Sequence, residues 1–160
     1  MILLSLLLAA GQITPVQPIV KGTGLPPAAM TEEAGVMVPI DALFAALAAR
    51  DGQAILTQVR PDGGATVAEE KADGTRSARR TSWPEFAASI KPGPERYAER
   101  LTDPAVDIDG DIAMVWSPYV FTIDGKVVHC GTDHFDMVRE AGRWKIANLT
   151  WSKRTTGCAN

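Results

Sequence analysis

The chain has 160 residues, 46% of them hydrophobic and 22% charged, with a formal net charge of −3. This is the profile of one ordinary globular domain, not of a disordered segment or a multi-domain chain. Sixteen basic against nineteen acidic residues, with no long same-sign block, offer nothing to neutralise a phosphate backbone, so nucleic acid is not an expected partner. Two cysteines are too few for a structural zinc cluster or a disulfide-dense scaffold.

Met1 to Ala10 reads MILLSLLLAA, too short to cross a ~30 Å hydrocarbon layer, which takes about 20 helical residues. Its length suits the apolar region of an export signal, and Ala9-Ala10-Gly11 offers small residues for cleavage, although no Lys or Arg precedes Lys21. An apolar arm packed on the domain is the alternative. Residues 1–12 are thus expected to be a signal peptide and 13–31, rich in Pro and Gly, a tether. The domain proper is expected over 32–160, periplasmic or secreted, with a cytoplasmic location as the alternative.

Ile40, Leu43, Phe44, Leu47 and Ala48 form one apolar stripe at helical spacing. Pro39 and Asp41 suit its first turn, and Asp51-Gly52 its end. A short helix follows over Gln53 to Val59, stopped by Arg60-Pro61. Two polar, arginine-bearing strands, Thr66–Lys71 and Thr75–Thr81, flank an Ala72-Asp73-Gly74 turn in the manner of an edge hairpin. Ser82-Trp83-Pro84-Glu85 is a capping box that opens a third helix to about Ile90.

From Arg96 the period changes to two. Four strands are expected, Tyr97–Asp107, Ile112–Ile123, Lys126–Arg139 and Arg143–Arg154, joined by turns at Asp109-Gly110-Asp111, Asp124-Gly125 and Ala141-Gly142. Nine of the ten aromatic residues lie at or beyond Trp83, so this meander carries most of the apolar mass. Helices followed by consecutive antiparallel strands give an α+β fold whose sheet curls over the helices.

This order, with Asp51 at the joint of the helix pair, resembles the nuclear-transport-factor-two-like superfamily. The motifs Gly110-Asp111-Ile112-Ala113, Val115-Trp116, Pro118-Tyr119, Asp124-Gly125-Lys126, His129-Cys130-Gly131, Asp133, Phe135 and Trp144-Lys145-Ile146 resemble, more narrowly, a bacterial subgroup that carries a lumazine-binding label. The resemblance runs from Val38 to Cys158. It implies a cone-shaped α+β fold shared with SnoaL-like cyclases and ketosteroid isomerases, a fold that hosts enzymes and pure binding modules alike. The family's enzymes place an Asp, His or Tyr in the cone as proton donor or acceptor. That precedent makes Asp133 and His129 the candidate acid–base pair, with a satisfied structural hydrogen bond as the competing role.

The segment from His129 to Asp136 holds both histidines, one cysteine and two carboxylates. Alternation at about 3.3 Å per residue puts His129, Asp133 and Phe135 on one face and Cys130, His134 and Asp136 on the other. His129 and Asp133, like Cys130 and His134, are then about 13 Å apart, too far for one zinc or for a thiol–imidazole pair. No metal and no cofactor are expected; phosphate-loop, dinucleotide and serine-elbow motifs are missing from the sequence. Cys130 is instead expected to pair with Cys158 if the chain is exported, two free thiols being the alternative.

A two-residue turn at Asp124-Gly125 sets Val120 opposite His129 and Trp116 opposite Asp133. Trp116, His129, Asp133 and Phe135 would then form one wall of a pocket for a small apolar molecule, with Trp83 sealing its mouth. Tyr119 is a further pocket candidate: it falls on the opposite face beside Cys130 in this register, but a bulge at Pro118 can swing it to either side. Core packing is the competing role for Trp83, Trp116, Trp144 and Trp151. Both faces of Ile112–Ile123 are apolar, which predicts a homodimer through the outer sheet face.

Overall fold

The computed structural model describes residues 27–158, so the expected signal peptide and most of the expected tether lie outside the described residues. Helix α1 spans Pro27–Ala49 and α2 Gly52–Leu56, followed by strands β1 (Val59–Glu70) and β2 (Arg76–Ser82). Helix α3 (Trp83–Ser89) then leads into β3 (Tyr97–Leu101), β4 (Ala105–Asp109), β5 (Ile112–Ile123), β6 (Lys126–Glu140) and β7 (Arg143–Arg154).

Pro39 does not start the first helix but lies inside it. A proline there removes one backbone hydrogen bond. Val36 and Ile40, fully buried on either side of it, together with Leu43 and Leu47 one and two turns on, give that segment enough apolar burial to stay helical. Asp51 caps α2 by accepting the Ala54 N–H at 3.0 Å. The capping box at α3 is complete: Glu85 accepts the Ser82 N–H at 2.8 Å, and Ser82 Oγ accepts the Glu85 N–H at 3.4 Å.

The seven strands make one curved sheet in the order β2-β1-β7-β6-β5-β3, with β4 also on β5; β1 and β7 run parallel and every other pair antiparallel. Three differences from the sequence expectation bear on the site. β1 begins at Val59 instead of Thr66, because a register break between Val59 and Gly64 against β7 takes up Pro61 where no ladder hydrogen bond is needed. The expected strand Tyr97–Asp107 is split at residues 102–104, where Asp103 has φ 53° and Pro104 follows. Ser117, fully buried on β5, holds that break: its Oγ lies 3.2 Å from Thr102 N and 3.0 Å from Thr102 O.

The third difference resets the register. Ile123 does face Lys126 across the turn, but a bulge leaves Val128 unopposed, so Phe121, not Val120, faces His129. Trp116 therefore pairs with His134 and Asp133 with Ser117, while Pro118 sits in regular pairing opposite Thr132. The bulge is at Val128, not at Pro118.

The core lies between the helices and the concave face. Val36, Ile40, Leu43, Ile55, Trp83, Val115, Phe135, Met137 and Ile146 are its most buried members. Trp83 Nε1 donates to Ala147 O at 3.2 Å, which satisfies the one polar atom of a fully buried ring.

Candidate functional site

The concave face encloses a cavity of about 530 Å³. Leu43, Phe44 and Leu47 of α1 roof it with Phe86 and Ile90, and Val67, Tyr97, Phe121, Leu149 and Trp151 supply the apolar part of the sheet wall. Polar groups are fewer: Glu99, His129, the Glu69–Lys153 pair, Ser77 and Arg79. Edge-to-face contacts stiffen the wall, with Phe86 6.1 Å from Trp151 and Phe44 6.1 Å from Phe135.

Strand pairing explains which side chains meet here. Glu99 of β3 faces Phe121 of β5, which faces His129 of β6, so these three form one row across the inner face. The imidazole of His129 stacks on Phe121 at 4.6 Å with planes 10° apart. Its Nδ1 lies 3.0 Å from the Tyr119 hydroxyl, which in turn lies 3.0 Å from Ser152 O. A carbonyl only accepts, so the phenol donates to Ser152 and His129 Nδ1–H donates to the phenol; this tautomer leaves Nε2 as an acceptor. Burial pushes the imidazole down to about 4, helped by the positive charge of Lys153 and opposed by Glu69. The ring is neutral at pH 7. The Tyr119 hydroxyl is pushed well above its ordinary range, first by burial and then by the carboxyls of Glu99 and Asp133.

Gly131 makes this contact geometrically feasible. A Cβ there would fall 1.9 Å from Ser152 O, so only glycine leaves room for the carbonyl that accepts the Tyr119 hydroxyl.

Asp133 is 1% exposed, and neither carboxyl oxygen meets any N–H or O–H of the described residues. Ser117, its cross-strand neighbour, spends its hydroxyl on Thr102. The group that does meet Asp133 is the carboxyl of Glu99. Two ionised carboxylates cannot hydrogen-bond each other, whereas one protonated carboxyl can donate to the other. Burial raises both groups, Asp133 further because the Glu99 charge adds to the desolvation.

Of the residues singled out in the sequence, His129 lines the cavity; Asp133 does not, and reaches it only through Glu99. Tyr119, 2% exposed, points inward beneath the cavity wall and away from the outer face. Phe135 and Trp83 are fully buried in the core, so neither lines the cavity nor seals a mouth. Trp116 is 52% exposed on the outer face, 5.7 Å from the His134 ring, because the Val128 bulge shifted the register. Cys130 and Cys158 are joined in a disulfide with Cα atoms 5.6 Å apart. No cluster of three or more metal-ligating side chains occurs among the described residues. Sequence reasoning missed Glu99, Arg79 and Phe86, and favoured core packing over a pocket role for Trp151, which lines the cavity; Glu99 alternates in a β3 strand whose pairing was not known, and that alternation was the only signal.

No protein-family model matches the sequence, and no curated protein matches it. Solved structures do. A protein of unknown function from Mycobacterium tuberculosis superposes with a TM-score of 0.60 at 20% identity, covering 80% of this chain and 76% of that one. An NTF2-like protein with a cystatin-like fold from Novosphingobium aromaticivorans gives 0.59 at 14% identity over 82% and 86%. A "putative scytalone dehydratase" from the same organism gives 0.62 at 10% identity over 82% and 97%. The chain has the NTF2-like, cystatin-like α+β fold.

Proposed function

We propose that this domain binds a small, mostly apolar molecule inside its cone. The observation that carries the reading is the cavity of about 530 Å³, walled by aromatic and aliphatic side chains with a few directed polar groups, the usual make-up of a small-molecule site. The uncharged probe N-phenyl-1-naphthylamine tests it by fluorescence titration. One saturable site per chain is expected, lost in Ser77→Trp, which puts an indole at the rim from an exposed strand. Absence of saturable binding to the wild type overturns the reading.

A second reading is favoured by one feature, the Glu99–Asp133 carboxyl pair on the same inner face as a neutral imidazole, with Phe121 between Glu99 and His129. In a cofactor-free isomerase or dehydratase, Glu99 would meet the substrate as acid or base, with Asp133 holding its proton and His129 Nε2 accepting a second one. The narrower likeness to proteins with a lumazine-binding label rests on sequence motifs alone. A homodimer through the outer face and export to an oxidising compartment complete the proposal. The first is supported by the exposed Ile112, Met114 and Trp116. The second is supported by the Cys130–Cys158 bond.

A further inference from the structure

We propose that the ligand is an apolar monoanion, held with its acidic group at Arg79 on the cavity rim and its uncharged end toward Glu99 and Asp133. The inference rests on the small-molecule reading above and adds the charge and orientation of the guest.

The cavity wall is polarised from one edge of the sheet to the other. Arg79 of β2 pairs with Val67 of β1, Val67 with Trp151 of β7, and Trp151 with Asp133 of β6. Paired residues share a face, so Arg79 and Asp133 end one inner row separated by three strand spacings, about 14 Å along the sheet. Val67 and Trp151 between them are apolar and line the cavity.

The cations at the rim are not equivalent. Lys153 is neutralised by Glu69 at 2.8 Å. Arg79 has no ion pair among the described residues. Glu85, the carboxylate that feels its charge, is already bonded to the N–H and Oγ of Ser82. A guanidinium that faces an apolar cavity with its donors uncommitted suits a carboxylate or sulfonate. The opposite end holds Glu99 and Asp133 with no cation at salt-bridge distance among the described residues, so a second anion is repelled there and a hydroxyl or carbonyl is accepted. The two ends together fix the orientation.

A matched pair of probes reads this directly: 8-anilino-1-naphthalenesulfonate, and N-phenyl-1-naphthylamine, which is the same skeleton without the sulfonate. The wild type is expected to bind the sulfonate about fivefold more tightly, the scale of one partly exposed charge pair. Arg79→Gln should bring the two affinities together, Arg79→Lys should keep most of the preference, and Ser77→Trp should abolish binding of both probes. Equal affinities in the wild type, a preference that survives Arg79→Gln, or sulfonate binding that survives Ser77→Trp each overturn the inference. If the uncharged probe still binds the wild type and is lost in Ser77→Trp, the cavity reading stands; if neither probe binds the wild type, both fall.

Discussion

The carboxyl groups of Glu99 and Asp133 meet at the inner wall of the cone, one from β3 and one from β6, with β5 between them. No donor of the described residues reaches Asp133, so the contact is favoured when one of the two carboxyls carries a proton and disfavoured when both are ionised. Burial lifts Glu99 up to about 7 and Asp133 further, whereas unfolded carboxyls release their protons near pH 4. Above pH 4 the folded chain therefore holds more protons than the unfolded one, and the pair's contribution to stability falls as pH rises through neutral. Asp133→Asn supplies a permanent donor. It is expected to flatten that decline, gaining about 1 kcal/mol on the wild type at pH 8 and nothing at pH 5, by urea denaturation at both pH values. Parallel declines in the two proteins would contradict the shared proton.

His129 works in the opposite direction. Its folded value of about 4 lies below the ordinary 6.5, so the unfolded chain takes up a proton first as the solution is acidified. Stability attached to a neutral His129 is present above about pH 6.5 and lost as pH falls toward 4. Nuclear magnetic resonance of the imidazole should show a neutral, Nδ1-protonated ring at pH 6. Tyr119→Phe removes the acceptor at Nδ1, should cost about 1–2 kcal/mol, and should abolish the tautomer preference.

Much of the fold was legible because period and turn chemistry are local. The Ser82–Glu85 capping box, the three glycine turns and the Ile112–Ile123, Lys126–Glu140 and Arg143–Arg154 strands all follow from neighbouring residues. The site was less legible because pairing decides it. A single unopposed residue, Val128, moved Trp116 from the cavity wall to the outer face, since one residue of slip exchanges the two faces of a strand. Glu99 could not be placed until β3 was known to pair with β5, and Asp133 could not be separated from the cavity until Glu99 stood in front of it. The face shared by His129, Asp133 and Phe135 was readable from alternation alone.

Gly131 allows a sharp test of the Tyr119 anchor. Gly131→Ala places a methyl 1.9 Å from Ser152 O, so β7 must shift, and the phenol is expected to lose its acceptor. A loss of about 2–3 kcal/mol is expected, with the His129 resonances changed as in Tyr119→Phe. A substitution that leaves stability and those resonances untouched would show that the carbonyl can turn away freely.

The disulfide ties the end of the chain to the strand that carries His129. It closes a loop with a sequence separation of 28, worth about 3 kcal/mol on the loop-entropy account. Cys158→Ser, or mild reduction, should lower the melting temperature, and the wild type treated with reductant should match the variant. Intact mass after alkylation without reductant should show no accessible thiol. Two alkylated cysteines would remove both the bond and the argument for an oxidising compartment.

The outer face of β5 remains to be accounted for. Ile112, Met114 and Trp116 lie 59%, 41% and 52% exposed on it, next to the His134–Asp136 pair at 3.5 Å on β6. Every side chain in this row alternates with a buried one (Ala113, Val115, Ser117), so the strand cannot turn its apolar set inward without losing the core. Covering the patch therefore needs a second surface, and a copy related by a two-fold axis supplies one without any further partner. Light scattering at micromolar concentration should give twice the chain mass for the wild type and one chain mass for Trp116→Glu, with unchanged melting at low concentration. A wild type that scatters as a single chain would assign the patch to another partner.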